Sequence, residues 1–278
     1  MASHTGHHHD EPHDLGLSAD LPRLLGRRRA LQVLGGAGLL AVVGCSSDDS
    51  DAASDTTGST SAGSSTTEAP DCGGATPEET AGPFPGDGSN GPSALQDSGV
   101  VRSDIRSSFG GATGVAEGVE LRLQLSVFDA VTCRTLPGAA VYVWQCDRDA
   151  RYSMYDREIV DENYLRGVQG AAADGTVLFT TIFPACYPGR WPHIHFEVYP
   201  SLTSITSARN KIATSQLAFP KDICEAVYAT AGYEASLRTL QGVSLEQDMV
   251  FSDGSAIQLA TVGGSAEEGY LASLVVTV

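Results

Sequence analysis

Positive charge is scarce in this chain, histidine is almost missing from its body, and no apolar run is long enough to cross a membrane. Lys and Arg total 17 against 34 Asp and Glu in 278 residues, a net charge of −17. The first 45 residues hold four arginines and four acidic residues, so the whole excess lies beyond them. A surface of that sign repels phosphate backbones and anionic headgroups, which argues against nucleic acid as a partner and against electrostatic membrane binding. It is mildly unfavourable for anionic substrates as well. No Cys-x-x-Cys pair is present, which removes the usual cysteine metal sites. No internal repeat is visible. The uncharged stretch 30–44 is too short for a comfortable span.

What is present at the N-terminus reads as an export address. Arg27-Arg28-Arg29 precedes the uncharged stretch, and Cys45 follows it. The twin arginine resembles a Tat signal, and Val42-Val43-Gly44-Cys45 resembles a lipobox in which Cys45 is lipidated. The expectation is a cell-surface lipoprotein or a secreted protein, with membrane attachment only through a lipid on Cys45. The alternative is a plain secretory signal followed by a coincidental cysteine. His4, His7, His8, His9 and His13 read as part of a discarded extension rather than a metal tract. Residues 46–70 are mostly Ser, Thr, Asp, Ala and Gly and cannot bury a core, so they form a tether. The organisation is therefore a signal at 1–45, a linker at 46–70 and one folded domain at 71–278. Besides Cys45, the cysteines are Cys72, Cys133, Cys146, Cys186 and Cys224. An exported protein holds disulfides, but five is odd, so at least one thiol is free or pairs between chains.

The body reads as β. Leu121, Leu123, Leu125 and Val127 alternate with polar residues, and Val141, Val143 and Gln145 alternate with Tyr142, Trp144 and Cys146. Residues 175–183, 194–199 and 271–278 are further strand-like runs. Pro137-Gly138, Asp174-Gly175 and Pro188-Gly189 supply turns. Helical pattern is confined to a stretch such as 223–228. The fold class is all-β, a β-sandwich with few short helices.

Two of the seven histidines lie in the body, His193 and His195. Side chains alternate along a strand, so with Ile194, Phe196 and Val198 on one face the two imidazoles share the other. Alone, such a pair suits zinc, copper or ferrous iron. No acidic residue stands at ligand spacing; Glu197 is the nearest. Tyrosines stand there instead: Tyr187, in a proline-rich turn six residues before His193, and Tyr152, beyond the 141–145 strand. A phenol with a pKa of ~10 stays ionised at neutral pH only beside a strong Lewis acid. Ferric iron is the natural match.

Taken in order, Thr76-Pro-Glu-Glu-Thr80-Ala-Gly82-Pro83-Phe84, Pro137-Gly-Ala-Ala-Val-Tyr-Val-Trp144-Gln-Cys-Asp, Tyr152-Ser, Leu165-Arg-Gly-Val-Gln169, Tyr187-Pro-Gly-Arg190 and His193-Ile-His195 resemble the intradiol ring-cleavage dioxygenases. The nearest type is the protocatechuate 3,4-dioxygenase-like group, and within it the exported bacterial members. The resemblance implies a sandwich of mixed strands with the metal at one edge. It casts Tyr152, Tyr187, His193 and His195 as Fe(III) ligands, with Tyr187 and His195 axial and Tyr152 and His193 equatorial. Arg190 would stabilise the catecholate under attack by O2, Gln169 would face the intermediate, and Gly82 and Pro83 would line the substrate pocket. The substrate would be a catechol, opened between its hydroxylated carbons to a muconate-type diacid.

The chain departs from the family at Asp149-Ala150-Arg151, where a Gly-x step usually precedes the first tyrosine. Arg151 would then crowd the pocket or meet a substrate carboxylate. Cys186 and Cys224 stand where the family lacks cysteine, which motivates a pairing between them. The long helical dimerisation region of catechol 1,2-dioxygenases is missing, although a homo-oligomer remains compatible with the sequence. The rival reading is a surface-tethered sandwich module that binds without turnover.

Overall fold

The computed structural model describes residues 73–278; the expected export signal at 1–45 with Cys45, the expected linker at 46–70 and Cys72 lie outside the described residues. Eight strands form two four-stranded sheets. The strands are β1 (Glu120–Phe128), β2 (Ala140–Trp144), β3 (Arg166–Gly170), β4 (Thr176–Ile182), β5 (His193–Tyr199), β6 (Ala213–Ala218), β7 (Thr261–Ser265) and β8 (Gly269–Thr277). One sheet has the order β4-β1-β8-β7 and the other β3-β2-β5-β6. β1 and β8 run parallel and the other neighbours antiparallel, so the sandwich is of mixed strands. Among the described residues two α-helices, α1 (Lys221–Tyr228) and α2 (Glu234–Leu240), and four single-turn 3-10 helices complete the fold.

The alternation read from the sequence builds the core. Leu121, Leu123, Leu125 and Val127 of β1 pack in one buried cluster with Val141 and Val143 of β2 and Ile194, Phe196 and Val198 of β5. At roughly 25 cal/mol per Å2 of apolar surface, this inter-sheet layer is the main stabilising element. The other face of β2, bearing Tyr142 and Trp144, is covered by a second cluster with Leu95, Val100, Phe109 and Tyr152. Arg166 clasps that cover onto the sheet. It is fully buried, and its guanidinium donates to the carbonyls of Phe84, Pro85 and Ser153 and to the hydroxyls of Ser153 and Tyr142. A buried guanidinium is tolerated when its donors are used in this way.

The helices brace the segment between β4 and β5. Tyr228 of α1 donates to the Pro184 carbonyl at 2.9 Å, and Tyr233 donates to the Phe183 carbonyl at 2.7 Å. Ser236 of α2 accepts from the Cys186 amide at 3.0 Å. Residues 183–192, which carry Tyr187 and Arg190, are thereby held at both flanks.

The expected pairing of Cys186 with Cys224 is not found: both are free and buried, as is Cys146. Each thiol is occupied as a small apolar group, with Cys186 against the Arg190 carbonyl and Cys224 against that of Phe219. Cys133 is disulfide-bonded. Among the described residues no helix is long and apolar enough to cross a membrane.

Candidate metal centre

Four side chains from three places converge. β5 presents His193 and His195 on the face away from the inter-sheet core. The turn after β2 brings Tyr152, and the braced segment brings Tyr187. The Tyr152 hydroxyl lies 3.3 Å from that of Tyr187 and 3.4 Å from His195 Nε2. The Tyr187 hydroxyl lies 3.1 Å from His193 Nε2, and the two Nε2 atoms are 3.2 Å apart. The four donor atoms form a closed ring. Donors bonded to one ion at ~2.0–2.1 Å, at near-tetrahedral angles, stand at about such spacings. Among the described residues no group of three or more His, Cys, Asp or Glu offers a rival site.

The electrostatics fit a strong cation. Burial, and then the neighbouring Tyr187, push the Tyr152 phenol well above its ordinary pKa. Burial raises Tyr187 to about 12, against the pull of Arg190. Both phenols are therefore protonated unless a cation sits among them. Burial depresses both histidines well below their ordinary range, aided by Arg190 at His193 and by His193 at His195. Both rings are thus neutral, with lone pairs to give. The residues fit ferric iron, a hard cation that takes phenolate and imidazole together.

Each ring is oriented. His193 Nδ1 donates to the Trp191 carbonyl at 2.5 Å, which fixes the tautomer that leaves Nε2 free. His195 stacks on Trp144, with centroids 4.8 Å apart and planes 8° from parallel. Gly82 approaches the same ring: a Cβ there would stand 3.4 Å from His195 Cε1. With φ at +71°, this position also favours glycine on backbone grounds. Pro83 is exposed beside it, and Phe84 packs on Tyr152 with centroids 5.1 Å apart.

Arg190 is buried at the edge of the ring. Its Nη1 is 3.3 Å from His193 Nε2, its Nη2 donates to Gln216 Oε1 at 2.6 Å, and its Nε donates to Asp248 Oδ2 at 3.0 Å. Burial opposes its charge, but Tyr187 and Asp248 outweigh that and hold it ionised.

Gln169 is not brought to this cluster. It pairs with Val141 on β3, three rungs from Arg166, which stands opposite Trp144. It faces the other sheet and donates to the Leu178 carbonyl of β4. The glutamine at the site is Gln216 of β6, directly opposite His195 in the ladder. Sequence reasoning missed it, and missed Asp248. The run Ala213–Ala218 gives no sequence signal for Gln216; that every position in it is buried is visible only in the fold. Arg151 does not offer its charge to the pocket, because Asp147, Asp149 and Glu158 engage it at 2.9, 2.9 and 3.0 Å.

No protein-family model matches the chain, and neither does any curated protein. Solved structures do match. An intradiol ring-cleavage dioxygenase from Tetranychus urticae is similar over 73% of this chain and 93% of its own, at 24% identity and a TM-score of 0.57. A second solved dioxygenase gives the same identity and TM-score over 73% and 94%. The dioxygenase domain of a carbohydrate-binding fusion from Streptomyces sp. SirexAA-E is similar at 23% identity over 73% and 97%, with a looser TM-score of 0.47. Identity this low carries the fold and leaves the chemistry to the site itself. The chain has the fold of the intradiol ring-cleavage dioxygenases.

Proposed function

We propose that the protein is a non-haem Fe(III) intradiol dioxygenase that opens a catechol between its two hydroxylated carbons with O2, giving a muconate-type diacid. The closed ring of two phenols and two neutral imidazoles carries this reading. Ferric iron bound there supplies Lewis acidity and a template for the substrate.

The residues divide the remaining work. His193 and His195 stay neutral through burial and hold the centre from the sheet. Tyr152 is 5% exposed, whereas Tyr187 is half-buried at the rim. The rim phenol is the one suited to leave and to take a substrate proton at its oxygen; the inner one stays. Arg190 holds a fixed positive charge next to the ring, placed to stabilise negative charge on the catecholate. Gly82, lacking a side chain, leaves room against His195, and Phe84 offers an apolar wall for an aromatic ring. Arg151 and Arg166 are consumed by internal partners, so neither is left to bind a carboxylate. Together with the acidic surface, this favours catechols without an anionic substituent.

The test is direct. Purified protein should hold about one ferric ion per chain, show a tyrosinate-to-iron visible band, and take up O2 with a catechol to give a ring-opened diacid. Colourless, iron-free protein without O2 uptake would instead fit a tethered binding module. Export through a Tat-type signal with lipid on Cys45 is part of the same proposal. Arg28→Lys with Arg29→Lys should strand the precursor in the cytoplasm, and Cys45→Ala should abolish lipidation.

A further inference from the structure

We infer that Asp248 is a positioning residue that sets both Arg190 and the ring of His193, and so governs the proposed iron site without touching it. This rests on the dioxygenase reading above.

Asp248 lies beyond α2 and is almost fully buried. Its carboxylate accepts four N–H bonds, and the two oxygens divide them cleanly. Oδ1 takes the amides of Val250 at 2.8 Å and Phe251 at 3.2 Å. Those bonds shape the local turn and account for a structural aspartate. Oδ2 takes two donors that the turn does not need: Arg190 Nε at 3.0 Å and the Trp191 amide at 2.6 Å. Both belong to the segment that enters β5.

Each of those bonds leads to the site. At Arg190, Asp248 holds Nε while Gln216 holds Nη2, so the guanidinium is fixed at two corners and presents Nη1 toward the donor ring. At Trp191, the same oxygen fixes a peptide unit, and the Trp191 carbonyl accepts from His193 Nδ1 at 2.5 Å. The indole of Trp191 is anchored in turn on the Phe219 carbonyl at 2.9 Å, so the residue does not swing. One carboxylate oxygen therefore sets the direction of the cation and the tautomer and plane of a ligand. Outer partners of this kind hold first ligands in register and commonly change metal affinity or activity by ~10–100-fold when lost.

The geometry supplies its own probe. An amide at position 248 has one acceptor and one donor end. Asp248→Asn that keeps its oxygen on Val250 and Phe251 preserves the turn and points NH2 at Arg190 and Trp191, both of which are donors. The substitution selectively removes the pair of bonds that lead to the site.

Wild-type and D248N proteins would be compared by thermal melting, by titration of the metal-free protein with ferric citrate, by the visible spectrum, and by O2 uptake with unsubstituted catechol. D248N should fold, bind iron ~10–100-fold more weakly, and show a shifted visible band. Its kcat should fall by about a hundredfold, as for loss of one preorganised electrostatic group, with KM changed far less. Combining D248N with Arg190→Lys should cost much less than the sum of the two, because both act through one guanidinium. A D248N protein with wild-type iron affinity, spectrum and kcat, altered only in melting temperature, would overturn the inference. Should D248N not fold, Asp248→Glu, whose extra methylene shifts the carboxylate off Arg190 Nε and the Trp191 amide while keeping the charge, carries the same readouts and the same overturning result. Wild-type protein that binds no iron and consumes no O2 would sink the dioxygenase reading itself, a different outcome from an indifferent D248N.

Discussion

β5 and β8 both lie inside their sheets, and both alternate apolar and other residues, yet they are buried differently. All seven residues of β5 are buried. Along β8 the pattern alternates, and the outward Leu271 and Val275 are 42% and 55% exposed. The β4-β1-β8-β7 sheet leaves one face to water, where any side chain is tolerated. The β3-β2-β5-β6 sheet has its second face roofed by residues 79–109 and 145–165. Under that roof an unpaired buried polar group costs on the order of a few kcal/mol, and most polar groups there find a partner; Trp144 Nε1 and His195 Nδ1 are exceptions. His193, His195, Glu197 and Tyr199 sit in hydrogen-bonded networks, and the proposed chemistry lies where burial forces polar groups together. The outer strand shows what the same periodicity gives without a roof.

The largest effect that tests this contrast is at the ligand ring. His195→Ala should leave no stoichiometric iron, no visible band and no measurable ring cleavage, as elemental analysis and O2 uptake will show. Among the phenols, Tyr152→Phe should come close to the same loss. Tyr187→Phe should still bind iron and a catechol but turn over slowly, since it lacks the oxygen that accepts a substrate proton. Spectral titration of both variants with a catechol separates them; a Tyr152→Phe protein that binds catechol normally beside a Tyr187→Phe protein that does not would reverse the two roles.

Next in size is the charge at the edge. Arg190→Ala should keep iron and colour while turnover falls by about a hundredfold or more. Arg190→Lys should recover little, because an ammonium cannot span Asp248 and Gln216 as a guanidinium does. Steady-state O2 uptake at saturating catechol reads the effect, and unchanged turnover would reduce Arg190 to a structural residue.

How far the site was readable before the fold was known follows from the same contrast. Alternation is a local property, so β1, β2 and β5 and the shared face of His193 and His195 were legible. The converging tyrosines were legible only through an ordered set of motifs. Register is not local. Gln216 meets Arg190 because β6 pairs with β5 at His195↔Gln216, and nothing in Ala-Thr-Ser-Gln-Leu-Ala announces that rung. Gln169 was misplaced for the same reason: its segment entered only as a motif, and neither its strand, its rung nor its face was visible. Asp248 lies 58 residues from Arg190 in the chain, outside any strand, and no spacing rule connects them. The Cys186–Cys224 pairing failed because two cysteines in one apolar core are also good packing residues.

A smaller effect compares the sheets by stability. Phe196→Ala empties a site in the inter-sheet core and should destabilise by ~3–5 kcal/mol. Val275→Ser on the open face of β8 should stay within about 0.5 kcal/mol. Chemical denaturation gives both values. Equal costs would mean that the outer face of β8 is covered by something in solution.

The smallest effect lies in the roof itself. Among the described residues four non-glycine residues have positive φ, and three of them lie in the cover: Ala150 at 66° and Met154 at 71°, both two residues from Tyr152, and Leu165 at 57°, just before β3. The sheets carry none of this strain; the cover does. Ala150 occupies the place where a Gly-x step was expected, and it takes a backbone conformation that glycine adopts freely. The left-handed region costs an L-residue ~1–2 kcal/mol. Glycine would remove that cost but would lose ~0.5–1 kcal/mol through its freer unfolded chain. Ala150→Gly should therefore be neutral to stabilising by up to about 1.5 kcal/mol, the balance of those two terms. It should leave iron affinity and turnover unchanged, because Asp147 independently holds the turn through the amides of Asp149 and Arg151 at 2.9 Å each. A clear loss of stability in the melting curve would mean that the alanine methyl packs in the roof strongly enough to outweigh its strained backbone. The cover would then be held by apolar contact, as the sheets are, and not by its hydrogen bonds.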